Sequence, residues 1–318
     1  MLVKILLLVL GFAILIRGAD WLVEGAAALA KKYRVSDLAI GLTIVAFGTS
    51  MPEMVVNVFA AYSGHPDIVF GNIIGSNNFN LFVILGIAGL ISPLVVQSST
   101  VWKEIPFSFI AVLLLFLLSN DLLNTGDPVL SRFEGIILLG SFGAFLFYVY
   151  TQMRSDQSTE HIDSKNLSAT KIFILILIGL ALLVAGGRLV VIYSVELARI
   201  LGISEPVIGL TIVAAGTSLP ELATSVVAAI KKKNDIAVGN IIGSNIFNFF
   251  LIIGISAIIR PLDYNVSFNQ DLYLLGLGTL LLFVTMFSGK KKKIDRWEAA
   301  ILFLVYLGYT FYLFIGHN

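Results

Sequence analysis

The sequence predicts an all-α membrane protein with ten transmembrane helices, arranged as two inverted five-helix repeats with broken helices at the midplane. The first observation is composition: of 318 residues, 58% are hydrophobic and 13% are charged, with a mean hydropathy of +0.94. One soluble core does not need so many apolar residues. The second observation is an internal repeat. The third is a strong bias of basic residues towards one side of the predicted spans.

The repeat is carried by two polar motifs. Segment 41–53 (GLTIVAFGTSMPE) recurs 168 residues later as 209–221 (GLTIVAAGTSLPE), with eleven identities in thirteen positions. In the same register, 71–80 (GNIIGSNNFN) matches 239–248 (GNIIGSNIFN) at nine of ten positions. The polar strings persist while the apolar residues between them differ. This pattern indicates that the polar residues carry the function.

Apolar stretches of about 20 residues, enough for a bilayer core of about 30 Å, predict the helices. They lie near 2–30, 37–62, 67–91, 103–119, 132–151, 171–199, 205–230, 235–259, 270–288 and 295–315. Five spans per half make the second repeat enter the membrane from the opposite face. We expect an N-terminal five-helix repeat at 1–151, a linker at 152–170 and a C-terminal five-helix repeat at 171–318.

Charge predicts the orientation. Fifteen basic residues lie on the side of the 152–170 linker, four lie on the other side, and the remaining two of the 21 lie inside helices. Cytoplasmic loops carry an excess of Lys and Arg. We therefore expect a multi-pass plasma-membrane protein whose linker is cytoplasmic and whose termini are both outside.

Composition also excludes several classes of function. The net charge of +1 argues against a nucleic-acid partner, and the absence of cysteine excludes thiol catalysis and thiolate metal sites. An intramembrane enzyme needs a nucleophile with a base or a metal, but the three histidines lie in predicted loops or at the C-terminus. We predict no enzymatic activity, no cofactor and no obligate protein partner. The lipid bilayer is the expected surrounding of the chain.

A glutamate ends the first motif in each half, Glu53 and Glu221. A charged side chain at membrane depth costs about 2.5–3.5 kcal/mol on insertion scales, so each needs a reason to be there. The preceding proline breaks or kinks the helix, and we expect carbonyls from Ala46 to Thr49 to be freed as oxygen ligands. Hard cations such as Ca²⁺ take six to eight oxygens. The motif pair predicts a cation site, and merely kinked helices are the structural alternative.

The second motif predicts further oxygen donors. Its glycines have the small-xxx-small spacing that lets membrane helices approach closely. Packing alone does not explain the Ser and Asn residues of each copy, which are four apart and therefore lie on one helix face. These donors are Ser76 with Asn80 and Ser244 with Asn248.

The doubled Gly-x-Thr-x-x-Ala-x-Gly-Thr-Ser-x-Pro-Glu and Gly-Asn-x-x-Gly-Ser-Asn motifs resemble the calcium/cation antiporter superfamily, most closely its archaeal and bacterial sodium/calcium exchangers. The resemblance covers nearly the whole chain. It implies a secondary antiporter that exchanges Na⁺ for Ca²⁺ by alternating access at a mid-membrane cluster. It also implies that the first and sixth helices slide past the others.

By motif position, the resemblance implies that Glu53 and Glu221 are the shared carboxylates around Ca²⁺. The carbonyl or hydroxyl of Thr49 and Thr217 would join them. Flanking Na⁺ sites would use Ala46, Ser50 and Ser76 in one half and Ala214, Ser218 and Ser244 in the other.

The central asparagines depart from the family pattern in one copy. Asn80 lies where such exchangers have an asparagine, but Asn248 lies where many carry an acidic residue. Two carboxylates then balance one Ca²⁺, and the Na⁺ stoichiometry stays open. An H⁺/Ca²⁺ exchanger is an alternative, because a glutamate in a dry cavity can also carry a proton. A passive cation channel is a further alternative, although inverted repeats with broken helices are the transporter pattern.

Overall fold

The computed structural model describes residues 1–120, 128–155, 167–202, 214–288 and 292–316. These ranges form an all-helical membrane protein. Within these described ranges, seven helices are long and apolar enough to cross a membrane, or eight if the bent pair α2–α3 is one span. The helices are α1 (Leu2–Tyr33), α2 (Asp37–Thr49), α3 (Met51–Ser63), α4 (Pro66–Ile91), α5 (Thr100–Ser119), α6 (Arg132–Ser155), α7 (Ala169–Ile200), α8 (Ala214–Gly216), α9 (Leu219–Ile230), α10 (Asn234–Ile259), α11 (Asn269–Thr285) and α12 (Arg296–Gly316).

The predicted helix breaks are present. Helices α2 and α3 bend by 49° at Ser50, and Pro52 lies in the first turn of α3. Proline lacks the N–H that would bond to the carbonyl four residues earlier. Pro220 holds the same position in α9, after Ser218 with nearly the same backbone angles as Ser50. The predicted span at 205–230 lies partly outside the described residues, and α9 is its second part.

The core of the bundle is formed by α4 and α10. In these two helices, 78% and 83% of the most apolar window is buried. Both contain a wider π-helical stretch, at Phe79–Ile84 and at Phe247–Ile253, which begin 168 residues apart. Such π turns inside α-helices are frequently found at functional sites. Here they carry Asn80 and Asn248, and no pattern in the sequence predicts them.

In the part of the chain that the structure describes, four two-residue strands depart from the purely helical prediction. β1 (Leu94–Val95) pairs antiparallel with β4 (Lys293–Ile294), and β2 (Val129–Leu130) pairs with β3 (Leu262–Asp263). In the repeat register, β1 corresponds to β3 and β2 to β4. Each pairing therefore joins one half of the chain to the other. Strands this short have no sequence pattern that could predict them.

The two 32-residue helices, α1 and α7, cross in close contact. A Cβ atom added to Gly186 of α7 would lie 2.5 Å from the backbone nitrogen of Leu15 and 2.9 Å from the carbonyl oxygen of Gly11. Both neighbours are backbone atoms of α1, so a side chain could be accommodated only by separating the helices. Glycine is therefore required at this crossing.

The packing of α1 differs between the two halves. Helix α1 packs along α9, where Ala223 is 9% exposed and Thr224 is fully buried. Their counterparts in α3, Val55 and Val56, are 51% and 38% exposed. The Nζ of Lys231, at the end of α9, also pairs with Asp20 of α1 at 2.5 Å. The two halves therefore share a sequence repeat but differ in what covers them.

The α1–α7 crossing predicts different effects for adjacent glycines. Gly186→Ala should lower the free energy of unfolding by about 1–3 kcal/mol, the usual cost of overpacking, because its Cβ would meet backbone. Gly187→Ala is the matched control, since its Cβ would meet nothing closer than 3.8 Å. We expect this control to be neutral or stabilising. Thermal unfolding of the detergent-solubilised protein measures both, and equal melting temperatures would contradict the tight crossing.

Candidate functional site

The centre of the site is a pair of buried carboxylates, Glu53 in the first turn of α3 and Glu221 in the first turn of α9. Each is 1% exposed. The Ser50 hydroxyl donates to Oε1 of Glu221 at 3.0 Å, and the Ser218 hydroxyl donates to Oε1 of Glu53 at 3.4 Å. Each carboxylate thus accepts a hydrogen bond from a serine hydroxyl of the opposite half. The helix N-termini also favour negative charge there.

Several oxygen atoms around this pair have no hydrogen-bond partner in the described part of the chain. Buried polar atoms are nearly always paired, and an unpaired one costs about 1–3 kcal/mol. Carboxylate, hydroxyl and amide oxygens are the ligands that hard cations prefer, so these atoms fit a bound Ca²⁺ or Na⁺. The atoms are Oε2 of Glu53, Oε2 of Glu221, Oγ of Ser76, Oδ1 of Asn80 and Oδ1 of Asn248.

The second motif brings α10 to the same carboxylate. The Ser244 hydroxyl donates to Oε1 of Glu221 at 3.4 Å, so this oxygen accepts from both halves. Ser76 is the counterpart of Ser244 in the repeat and is equally buried. Its Oγ atom makes no hydrogen bond with the described residues. The pair is thus equivalent in sequence but differs in hydrogen bonding.

Four asparagines join α4 to α10 at the centre of the bundle. The side chain of Asn77 donates to the backbone oxygen of Asn245 at 3.1 Å, and that of Asn245 donates to the backbone oxygen of Asn77 at 3.4 Å. Asn80 donates to Oδ1 of Asn245 at 3.0 Å, and Asn248 donates to Oδ1 of Asn77 at 2.8 Å. The NH₂ groups of Asn80 and Asn248 are therefore used in bonds between the helices, while their Oδ1 atoms have no hydrogen-bond partner among the described residues.

The two threonines of the first motif contact amides of the opposite half. Thr49 donates through Oγ1 to Oδ1 of Asn240 at 3.0 Å. Asn72 donates through Nδ2 to Oγ1 of Thr217 at 3.3 Å. The direction of donation is reversed between the halves, although Asn72 and Asn240 are counterparts in the repeat.

The assignment of Ala46 as an ion ligand stays a prediction, but one expected consequence of the helix break is wrong. The carbonyl of Ala46 is not freed by Pro52, because it accepts from the backbone N–H of Ser50 at 3.0 Å and also lies 3.3 Å from the hydroxyl oxygen of Thr49. Proline removes the donor for the carbonyl four residues earlier, which belongs to Gly48. Ala214, the corresponding residue, begins the short helix α8, and its side chain lies outside the described part.

Six further polar residues belong to the site but were not singled out in the sequence. Four of them are identical in the two copies of the second motif, and that identity could have found them. The other two differ between the copies, so the repeat gives no signal for them. The identical pairs are Asn72 with Asn240 and Asn77 with Asn245, and the differing pair is Asn57 with Ser225.

Known proteins match the chain over nearly its full length. A family model described as "Sodium/calcium exchanger protein" matches residues 3–151 and 171–315. The putative antiporter CaxA of Alkalimonas amylolytica is 38% identical over 324 residues, covering 99% of each chain. The sodium/calcium exchanger MaX1 of Methanosarcina acetivorans is 33% identical over 350 residues, covering 98% of this chain and 99% of its own.

A solved structure of the sodium-calcium exchanger NCX_Mj, soaked without Na⁺ and Ca²⁺, superposes with a TM-score of 0.82. It is 30% identical in sequence and covers 98% of this chain and 99% of its own. The predicted resemblance to the calcium/cation antiporter superfamily is confirmed by these matches. The chain belongs to the sodium/calcium exchanger family and is a multi-pass cation/Ca²⁺ antiporter of the membrane.

Proposed function

We propose that the protein exchanges Na⁺ for Ca²⁺ across the plasma membrane, with the ions bound around Glu53 and Glu221. One observation carries the proposal: each glutamate bonds a serine of the opposite half through one oxygen, and its other oxygen is buried without a partner among the described residues. Two carboxylates balance the charge of one Ca²⁺. Neutral hydroxyl and amide oxygens beside them suit Na⁺.

The proposed architecture is ten helices in two inverted repeats, 1–151 and 171–318, joined by a cytoplasmic linker at 152–170. Reciprocal contacts between the halves support it. Asn77 and Asn245, which are 168 residues apart, each donate a side-chain hydrogen bond to the backbone of the other. Both strand pairs also join one half to the other. Exchange of equivalent contacts is what an internal two-fold axis produces.

Alternating access is supported by the unequal covering of α3 and α9. Helix α1 covers α9 on the side of the Lys231 pair, whereas Val55 and Val56 of α3 are exposed. The state described is thus closed on the side of α9's C-terminus, which the charge bias makes cytoplasmic. The opposite state would require α1 and α7 to shift so that α7 covers α3.

Removal of either central charge should abolish transport. Glu53→Gln and Glu221→Gln each leave one carboxylate to balance a divalent ion, and loss of one partner of a buried charge pair costs about 3–5 kcal/mol. We expect Ca²⁺ affinity to fall by more than about 100-fold while the protein stays folded. Asp67→Asn, at an exposed carboxylate at the start of α4, is the control. Wild-type flux in either glutamine variant would contradict the shared site.

The coupling ion is tested by ⁴⁵Ca uptake into proteoliposomes. An outward Na⁺ gradient at clamped pH should accelerate uptake, because Na⁺ leaving the vesicle drives Ca²⁺ in. Ser50→Ala with Ser218→Ala should weaken the Na⁺ dependence more than Ca²⁺ binding. Ser119→Ala, a buried serine at the end of α5, is the control. Uptake that follows an imposed pH gradient instead would assign the protein to H⁺/Ca²⁺ exchange, and uptake without any opposing ion gradient would indicate a channel.

Orientation is tested by single-cysteine labelling, because the native chain contains no cysteine. Two exposed positions lie on opposite sides of the proposed membrane, Tyr33 after α1 and His65 before α4. An impermeant maleimide should label His65→Cys in intact cells and Tyr33→Cys only after permeabilisation. The reverse pattern would show that both termini face the cytoplasm.

A further inference from the structure

We propose that Asn57 and Ser225 make the two halves of the ion site chemically different, although the motif residues are the same. Thr49 is thereby a cation ligand through its hydroxyl oxygen, and Thr217 is a hydrogen-bond donor to Glu53. Asn57 and Ser225 are positioning residues that act through the amides of Asn72 and Asn240. The inference rests on the proposed function, because it assigns roles around the same cation.

In the first half, the backbone fixes the orientation of both amides. The side-chain nitrogen of Asn57 lies 2.6 Å from the carbonyl oxygen of Glu53, an atom that can only accept. The same nitrogen donates to Oδ1 of Asn72 at 2.7 Å. The NH₂ group of Asn72 must therefore face the opposite way, where it donates to Oγ1 of Thr217 at 3.3 Å.

This arrangement leaves the hydroxyl proton of Thr217 available. A threonine hydroxyl has one proton and two lone pairs, and here Asn72 supplies the proton of their shared bond. The Thr217 hydroxyl lies beside the Glu53 carboxylate, as the Thr49 hydroxyl lies beside Glu221, so the two halves differ only in whether the hydroxyl proton is available. The Thr217 proton can therefore bond to Glu53, and there it competes with a bound cation for the same carboxylate.

In the second half, Ser225 stands where Asn57 stands in the first. Its hydroxyl donates to the carbonyl oxygen of Ala237 at 3.5 Å, so its oxygen accepts from Nδ2 of Asn240 at 3.0 Å. The same nitrogen of Asn240 lies 3.4 Å from the carbonyl oxygen of Glu221. With its NH₂ group committed to these two acceptors, Asn240 presents Oδ1 to Thr49.

The proton of Thr49 is thereby committed to Asn240, because the other acceptor within reach, the carbonyl oxygen of Ala46 at 3.3 Å, already accepts from the backbone N–H of Ser50. The side-chain oxygens of Thr49 and Asn240 are 3.0 Å apart, and without that proton two acceptors would face each other inside the protein, which is costly. The lone pairs of Thr49 remain for a cation, in a side chain that is fully buried. A cation thus meets a ligand in Thr49 and a competitor in Thr217.

Exchange of the two positioning residues should change Ca²⁺ affinity in opposite directions. Asn57→Ser copies the second-half arrangement, so Asn72 should turn its oxygen to Thr217. The Thr217 hydroxyl should then donate its proton to Asn72 and no longer compete with the cation for Glu53. Ser225→Asn copies the first-half arrangement, so Asn240 should turn its NH₂ group to Thr49. The hydroxyl proton of Thr49 is then no longer needed for that bond and can compete with the cation. We expect Ca²⁺ binding to tighten in the first variant and weaken in the second, each by about threefold to tenfold, the scale of one hydrogen bond.

Isothermal titration of the purified full-length protein with Ca²⁺ measures these shifts. The double variant N57S/S225N exchanges the arrangements between the halves and should bind within about twofold of wild type, by the same hydrogen-bond count. A purely structural role would weaken binding in both single variants. Shifts in the same direction, or no shift in either, would overturn the inference.

A second pair of variants leaves the positioning residues unchanged and covers the case in which they cannot be replaced. Thr49→Ala should weaken Ca²⁺ binding by about tenfold, because it removes a ligand, whereas Thr217→Ala should leave it within about twofold or tighten it. Equal losses would overturn the inference. Glu53→Gln in the same titration separates the two proposals: wild-type affinity there refutes the shared site itself, while lost affinity without the opposite shifts refutes only this inference.

Discussion

The fold depends on burying two carboxylates in the middle of a membrane protein. Each glutamate is 1% exposed and is bonded by a serine that belongs to the other half of the chain. Burial of a charge without partners costs several kcal/mol, so neither half could bury its glutamate alone. The helix break at Ser50 matters for the same reason, because it places a serine and a helix N-terminus beside a carboxylate. The glutamates therefore obtain these hydrogen-bond partners only when the two halves pack together.

The amides at the centre extend this dependence. Asn77 and Asn245 hold α4 against α10 through each other's backbone, and they accept the hydrogens of the inner asparagines. A buried network of this kind is favourable only when its members are satisfied. The oxygens left without a partner among the described residues are those of Asn80 and Asn248. The proposed cation ligands among these amides are thus positioned by the same hydrogen bonds that join the halves.

The sequence predicted what is local and failed where the contact is distant. Proline fixes the break in each motif, and the repeat identified the polar positions. The repeat does not state which half supplies a hydroxyl to which glutamate, so the exchange between Ser50 and Ser218 could not be predicted. The π-helical stretches and two-residue strands arise from packing and leave no periodicity. The expectation of a free Ala46 carbonyl is wrong because Pro52 removes the N–H donor of only one carbonyl, that of Gly48 four residues earlier.

An inverted repeat makes two states of an antiporter similar in energy, and differences between the halves decide which one is favoured. Lys231 pairs with Asp20 where α1 covers α9. Their counterparts in the repeat, 168 residues away, are Ser63 and Arg188, which cannot form such a pair when α7 covers α3. An ion pair near the surface contributes up to about 1 kcal/mol, and that amount changes the ratio of two states by about fivefold. In the proposed exchange cycle this pair favours the state described, without any change in the motifs proposed to hold the ions.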